Sequence, residues 1–156
     1  MTIQAALSSA VTDVLESMFF LEAVGEAAEP PPEAETVTAQ VTFEGKPPGY
    51  FHMRLARSAA IAIAADFLGE DCESLTQQQS TEVTLELANM ICGAVLSRIE
   101  SSASFRLGTP KMVTGEASGQ GPVEETRYTV ETGSGRLTVA IRMEKRSCSP
   151  TEKYAS

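Results

Sequence analysis

An α+β fold, with an antiparallel sheet covered by two long helices, is what the sequence predicts, and three patterns carry that prediction. Residues 2–21 and 76–100 space their apolar side chains at helical intervals. Segments within 37–55 and 127–143 alternate apolar and polar residues with period two, the mark of a strand buried on one face. Turn residues join the strands of each pair, which makes them antiparallel neighbours, and amphipathic helices cover the apolar side of such a sheet.

The first helix is drawn from Ile3, Leu7, Val11, Val14, Leu15 and Met18. Gly25 and the run Glu29-Pro30-Pro31-Pro32-Glu33 end it, because consecutive prolines donate no backbone hydrogen bonds and favour an extended connection. Val37, Ala39, Val41 and Phe43 then face one way, Gly45-Lys46-Pro47-Pro48-Gly49 makes a turn, and Phe51, Met53 and Leu55 continue as the antiparallel partner. His52 points away from those three and reads as a surface strand residue. Ser58 is placed to cap a short apolar helix over 59–68, which Gly69 terminates.

Thr76 and Gln79 have the spacing of a capping box, so the second long helix begins near Gln77. Past it, 101–104 is a break, 111–114 a short strand and 115–122 a mobile loop. Residues 127–131 and 136–143 form a hairpin about Thr132-Gly133-Ser134-Gly135, and from about residue 145 the chain is a polar tail. Residues 1–156 read as a single domain. Laying Leu15–Phe19 over Leu85–Asn89 gives two halves with a similar order of elements, a pseudo-repeat in outline.

A formal net charge of -9 and the lack of a basic stripe in the sequence argue against nucleic-acid binding. No run is long enough to span a bilayer, and the opening residues lack the basic start of a signal peptide, which makes a cytoplasmic location the expectation. Cys72, Cys92 and Cys148 are widely spaced and not in metal-ligand pairs, and Cys92 reads as a small buried hydrophobe. With one histidine and no ligand cluster, no metal site is expected.

The second long helix carries the one polar constellation that stands out. Val83, Leu87, Met90, Ile91 and Ala94 make one apolar face, Leu85, Cys92, Leu96 and Ile99 another, and a narrow stripe between them holds Glu82, Glu86, Asn89, Gly93 and Glu100. Taken alone, that stripe is compatible with an ordinary solvated edge. Gly93 either lets another backbone approach or relieves crowding against the protein's own sheet.

The run Glu86-Leu87-Ala88-Asn89-Met90-Ile91-Cys92-Gly93 resembles the CheC/CheX family of chemotaxis phosphatases, whose signature is a Glu-x-x-Asn pair on a long helix. Pro110 stands where the family has a downstream proline, whereas Glu82 replaces the Asp or Ser expected four residues before the glutamate. Phe19 in the first helix lacks the amide of a second pair, so the likeness is to CheX, with one site, rather than CheC. The resemblance implies a pseudo-repeated CheC/CheX-like domain, a homodimer paired through sheet edges, and hydrolysis of the aspartyl phosphate of a CheY-like response regulator. Asn89 would then orient the attacking water, Glu86 would dock the receiver's lysine, and Glu82 and Gly93 would meet the partner. It implies no cofactor in this chain, with Mg²⁺ expected in the partner receiver. The alternative is a non-catalytic dimeric adaptor module that binds a receiver or a flagellar-switch protein.

Overall fold

The computed structural model describes residues 2–19, 21–26, 35–45, 48–99, 105–113 and 124–143. The Pro-rich connection at 29–33, the loop at 115–122 and the tail from 145 lie outside the described residues. Three helices, α1 (Ile3–Met18), α2 (Arg57–Leu68) and α3 (Gln77–Ile99), accompany seven strands. These are β1 (Ala23–Glu26), β2 (Thr36–Glu44), β3 (Gly49–Ala56), β4 (Arg106–Leu107), β5 (Lys111–Val113), β6 (Glu124–Thr132) and β7 (Gly135–Met143). They form one antiparallel sheet in the order β1-β6-β7-β3-β2-β4, with β5 also paired to β2.

Register sorts the strands into two faces. Ala39 pairs with Met53, which pairs with Val139, which pairs with Tyr128, and Val41, Phe51 and Ile141 run alongside. All seven are buried in the core with Leu7, Leu15, Leu87 and Ile91 from the helices. At roughly 1.5–3 kcal/mol per large apolar side chain removed from water, this layer supplies most of the driving force for folding. The α+β expectation holds, and α2 joins the two long helices in the layer through Ala59, Ala60, Ile63 and Ala64.

Local chemistry sets the helix ends. Thr2 accepts a bond from the Ala5 amide at 3.0 Å and starts α1. Gly69 closes α2 with φ 69°, a left-handed conformation in which a β-carbon is costly. Ser58 does not cap α2. The N-cap lies two residues earlier, at Ala56, where β3 runs straight into the helix, and the Glu35 carbonyl takes the Arg57 amide at 2.9 Å in place of a side-chain cap.

Two strands leave no readable pattern. β1 spans four residues interrupted by a register shift between Ala23 and Gly25, and β4 spans two, each too short for alternation to show. Gly49 is required for a different reason: a β-carbon there would lie 2.0 Å from the Arg142 carbonyl oxygen, so the β3–β7 approach tolerates no side chain.

His52 lies on the sheet face away from the helices, as its alternation implies, yet it is buried, with 8% exposure. Its Nε2–H donates to Gln40 Oε1 at 2.8 Å, and the Tyr50 ring stands edge-on 5.1 Å away. Alternation separates the two faces of a strand without saying whether either is open, which is why it placed His52 at the surface. Burial first, and then the positive charge of Arg142, lower its pKa below 6.5; Glu125 pulls the other way, and Arg127 adds a lesser lowering.

The unfolded chain therefore takes up this proton first as pH falls. His52 contributes stability fully above about pH 6.5, and that contribution is lost as the pH drops through that value towards the folded-state pKa. We expect the melting temperature of the wild type to fall more steeply between about pH 7 and pH 5 than that of His52→Gln; parallel profiles would contradict the assignment.

Candidate functional site

α3 begins as its sequence requires. The Gln79 amide donates to Thr76 Oγ1 at 3.0 Å, and the Thr76 amide donates to Gln79 Oε1 at 2.9 Å, a closed capping box. At the other end Arg98 reaches across to α1, bonding Ser9 Oγ at 3.1 Å and pairing with Asp13. Between these ties Val83, Leu87, Ala88, Ile91, Cys92, Val95 and Leu96 are buried.

The remaining side of α3 holds four of the five stripe residues singled out from the sequence, and Glu100 lies outside the described residues. Glu82 and Glu86 are exposed, while Asn89 and Gly93 are half-buried. Their i, i+4, i+7, i+11 spacing sets them one above another on the helix surface. Gln78 Nε2 donates to Glu82 Oε2 at 3.1 Å, so that carboxylate is already engaged. Glu86 and Asn89 have no side-chain hydrogen-bond partner among the described residues.

The structure distinguishes the two readings of Gly93. A β-carbon built there would meet only Leu107 Cδ2, at 3.9 Å, which is ordinary contact. The glycine is therefore not needed to relieve crowding against the sheet. The β4–β5 segment beside it is held to the edge of β2 by the Gly108 amide, which donates to the Thr42 carbonyl at 2.7 Å, and Pro110 sits half-buried within that segment.

Residues 37–133 match the family model for "Chemotaxis phosphatase CheX", well over half of the chain. The chain belongs to the CheX chemotaxis phosphatase family.

Solved structures share the CheX fold. CheX from Desulfovibrio desulfuricans is 21% identical, with 92% of this chain and 100% of that chain covered at TM-score 0.73. The CheX–CheY–BeF3–Mg²⁺ complex from Borrelia burgdorferi includes a chain 18% identical, with 92% and 99% covered at TM-score 0.71. FliY from Thermotoga maritima is more distant, 13% identical with 96% and 88% covered at TM-score 0.57. No curated protein matches the chain.

Other chemistries find little footing in this CheX-family chain. Burial pushes the Cys92 thiol up to about 12, which leaves it protonated and unreactive at neutral pH. The ring of His52 is on the far side of the sheet from α3. Among the described residues no group of three or more His, Cys, Asp or Glu is placed to hold a metal ion, and no helix is long and apolar enough to cross a membrane. Phe19, which the sequence overlay set against Asn89, is the C-cap of α1, is buried and stacks on Phe67 with ring centroids 4.5 Å apart, so it presents no amide.

One feature left no signal in the sequence. A cleft of about 230 Å³ opens between α2, the start of α3 and β5, bordered by Arg57, Ile61, Cys72, Leu75, Thr81 and Met112. Its lining comes from separate parts of the chain and lies off the Glu86–Asn89 stripe.

Because the space beside Gly93 is open to a β-carbon, Gly93→Ala should stabilise the fold by about 1 kcal/mol through helix propensity alone. Urea unfolding measures this, and a destabilised variant would show that backbone crowding governs the position.

Proposed function

We propose that this chain hydrolyses the aspartyl phosphate of a CheY-like response regulator, with Glu86 and Asn89 as its working residues. The observation that supports this most is their state: a carboxylate and a carboxamide one turn apart, pointing outward without partners, on a helix whose other sides are fixed in the core. Such groups are pre-positioned, and phosphoryl transfer is catalysed largely by position and electrostatics.

The stripe offers no hydroxyl, thiol or imidazole, and Glu86 is taken up by the receiver's lysine, so water attacks. Its oxygen bonds to phosphorus, the bond from phosphorus to the aspartyl oxygen breaks, and a free carboxylate and inorganic phosphate result. Asn89 accepts a hydrogen bond from that water through its amide oxygen and donates towards a phosphoryl oxygen through its NH₂. Glu86 pairs with the receiver's lysine in a charge-assisted bond, since a carboxylate aimed at phosphate would be repelled. Mg²⁺, held by the receiver rather than by this chain, neutralises charge on the phosphoryl group. Glu82 adds attraction for a basic rim, and bare backbone at Gly93 lets the partner come close.

Residues 1–156 act in this reading as one CheX-like domain, working as a cytoplasmic homodimer. β1 and the β4–β5 pair, the two sheet edges among the described strands, provide the surfaces through which two copies would join.

Decay of a phosphorylated receiver is the direct test. Wild type should accelerate it, Asn89→Ala should lose about 10²-fold or more of that acceleration with docking retained, and Glu86→Ala should raise the receiver concentration needed. Gly93→Leu, which puts a bulky group on the stripe, should weaken docking while the chain stays folded. If wild type binds phosphorylated receivers yet leaves their decay unchanged, the chain is instead a non-catalytic adaptor.

A further inference from the structure

Three large apolar side chains stand exposed among the described residues, and all three belong to one corner of the molecule. Met18 is 47% exposed, Phe67 41% and Leu68 40%. Met18 ends α1, Phe67 and Leu68 end α2, and the ring of Phe19, next to Met18, stacks on the ring of Phe67 with centroids 4.5 Å apart. Phe67 thus gives one face of its ring to the buried Phe19 and leaves much of the rest to solvent. Single apolar residues scattered over a surface need no explanation, but a group that two separate helices bring together marks a place where something docks.

The charges at the two helix ends are of one sign. Because α1 and α2 both finish here, both bring the negative end of their dipole to the same corner. Neither last turn holds a basic residue. Glu16 lies instead in the last turn of α1 and Asp66 in that of α2, with Glu22 and Glu70 just beyond the two ends. All four carboxylates are exposed, and none has an ion-pair partner among the described residues.

We infer that this corner, built from residues outside the α3 stripe, docks a basic amphipathic segment of a partner protein. Such a segment sets apolar side chains on Met18, Phe67 and Leu68 and its lysines or arginines against the carboxylates and helix ends around them. The apolar contact supplies the affinity, and the charges fix the register and select the sign of the partner. A second copy fits poorly, since it would bring the same negative rim against this one, and an anionic bilayer would be repelled.

The test uses the full chain and two fluorescent amphipathic peptides with the same leucine pattern, one carrying lysine and the other glutamate at its polar positions. Binding is followed by anisotropy at about 150 mM salt. The lysine peptide should bind and the glutamate peptide should not. Met18→Ser/Leu68→Ser, which leaves the Phe19–Phe67 stack in place, should weaken lysine-peptide binding about tenfold. Glu16→Lys/Asp66→Lys should weaken it to a similar extent, about tenfold, and either variant carries the comparison if the other does not fold by circular dichroism. Glu82→Lys/Glu86→Lys, on the α3 stripe, should bind as the wild type does. Absence of lysine-peptide binding, equal binding of the glutamate peptide, unchanged binding in both corner variants, or loss of binding in the stripe variant would each overturn the inference. Co-sedimentation of the chain with phosphatidylserine vesicles, or self-association that Met18→Ser/Leu68→Ser abolishes, would overturn it in favour of a bilayer or a second copy.

Discussion

The fit of α3 against the apolar sheet face is the constraint on which the rest of the structure depends. Val83, Leu87, Ile91, Val95 and Leu96 remove most of the helix circumference from water, so only one stripe is left to face outward. A capping box fixes the start of the helix, and the Arg98 contacts to Ser9 and Asp13 fix its end against α1. Rotation by even one residue, about 100°, would expose leucine and bury glutamate. The outward direction of Glu86 and Asn89 is therefore set by the core beneath them, and nothing on the stripe itself has to hold them in place. Truncating Leu87, which sits at the centre of that contact, costs about 2–5 kcal/mol on the usual scale for buried leucines.

Legibility in the sequence followed the range of the forces involved. The α3 boundary was readable because Thr76 and Gln79 satisfy each other's backbone within four residues. The β2–β3 and β6–β7 pairs were readable because alternation records the burial of one face directly. Ser58 misled because its suitability as a cap is a local property, whereas the start of α2 is decided by β3 entering it and by the distant Glu35 carbonyl. β1 and β4 were invisible because pairing with β6 and β2, not their own composition, makes them strands. The Glu86–Asn89 pair was readable as a stripe from periodicity, but its reading as a site came from the likeness of the surrounding run to a family, and spacing alone gave no such distinction.

His52 and the sheet face around it show a second limit. Alternation correctly separates the two faces of a strand, but it does not say that one of them is open. Thr129 and Thr138, 4% and 5% exposed, share a 2.8 Å hydroxyl contact on the same face as His52. A polar layer can thus be buried on the face away from the helices, and its groups then need internal partners.

The chemistry available to the α3 stripe follows from what it lacks as much as from what it holds. A buried, protonated Cys92 and a histidine on the far side of the sheet take neither thiolate nor imidazole chemistry to the stripe. A carboxamide and a carboxylate fixed on a rigid helix can orient water and pair with a cation, and both acts need a second molecule to complete the site. Most of the catalytic apparatus must therefore arrive with the substrate, which in a phosphorylated receiver carries its own leaving group and metal. An enzyme built this way discriminates by docking more than by chemistry. In the proposed reading, the surface around Glu86 and Asn89, with acidic Glu82 on one side and bare Gly93 on the other, is where partner choice would be decided.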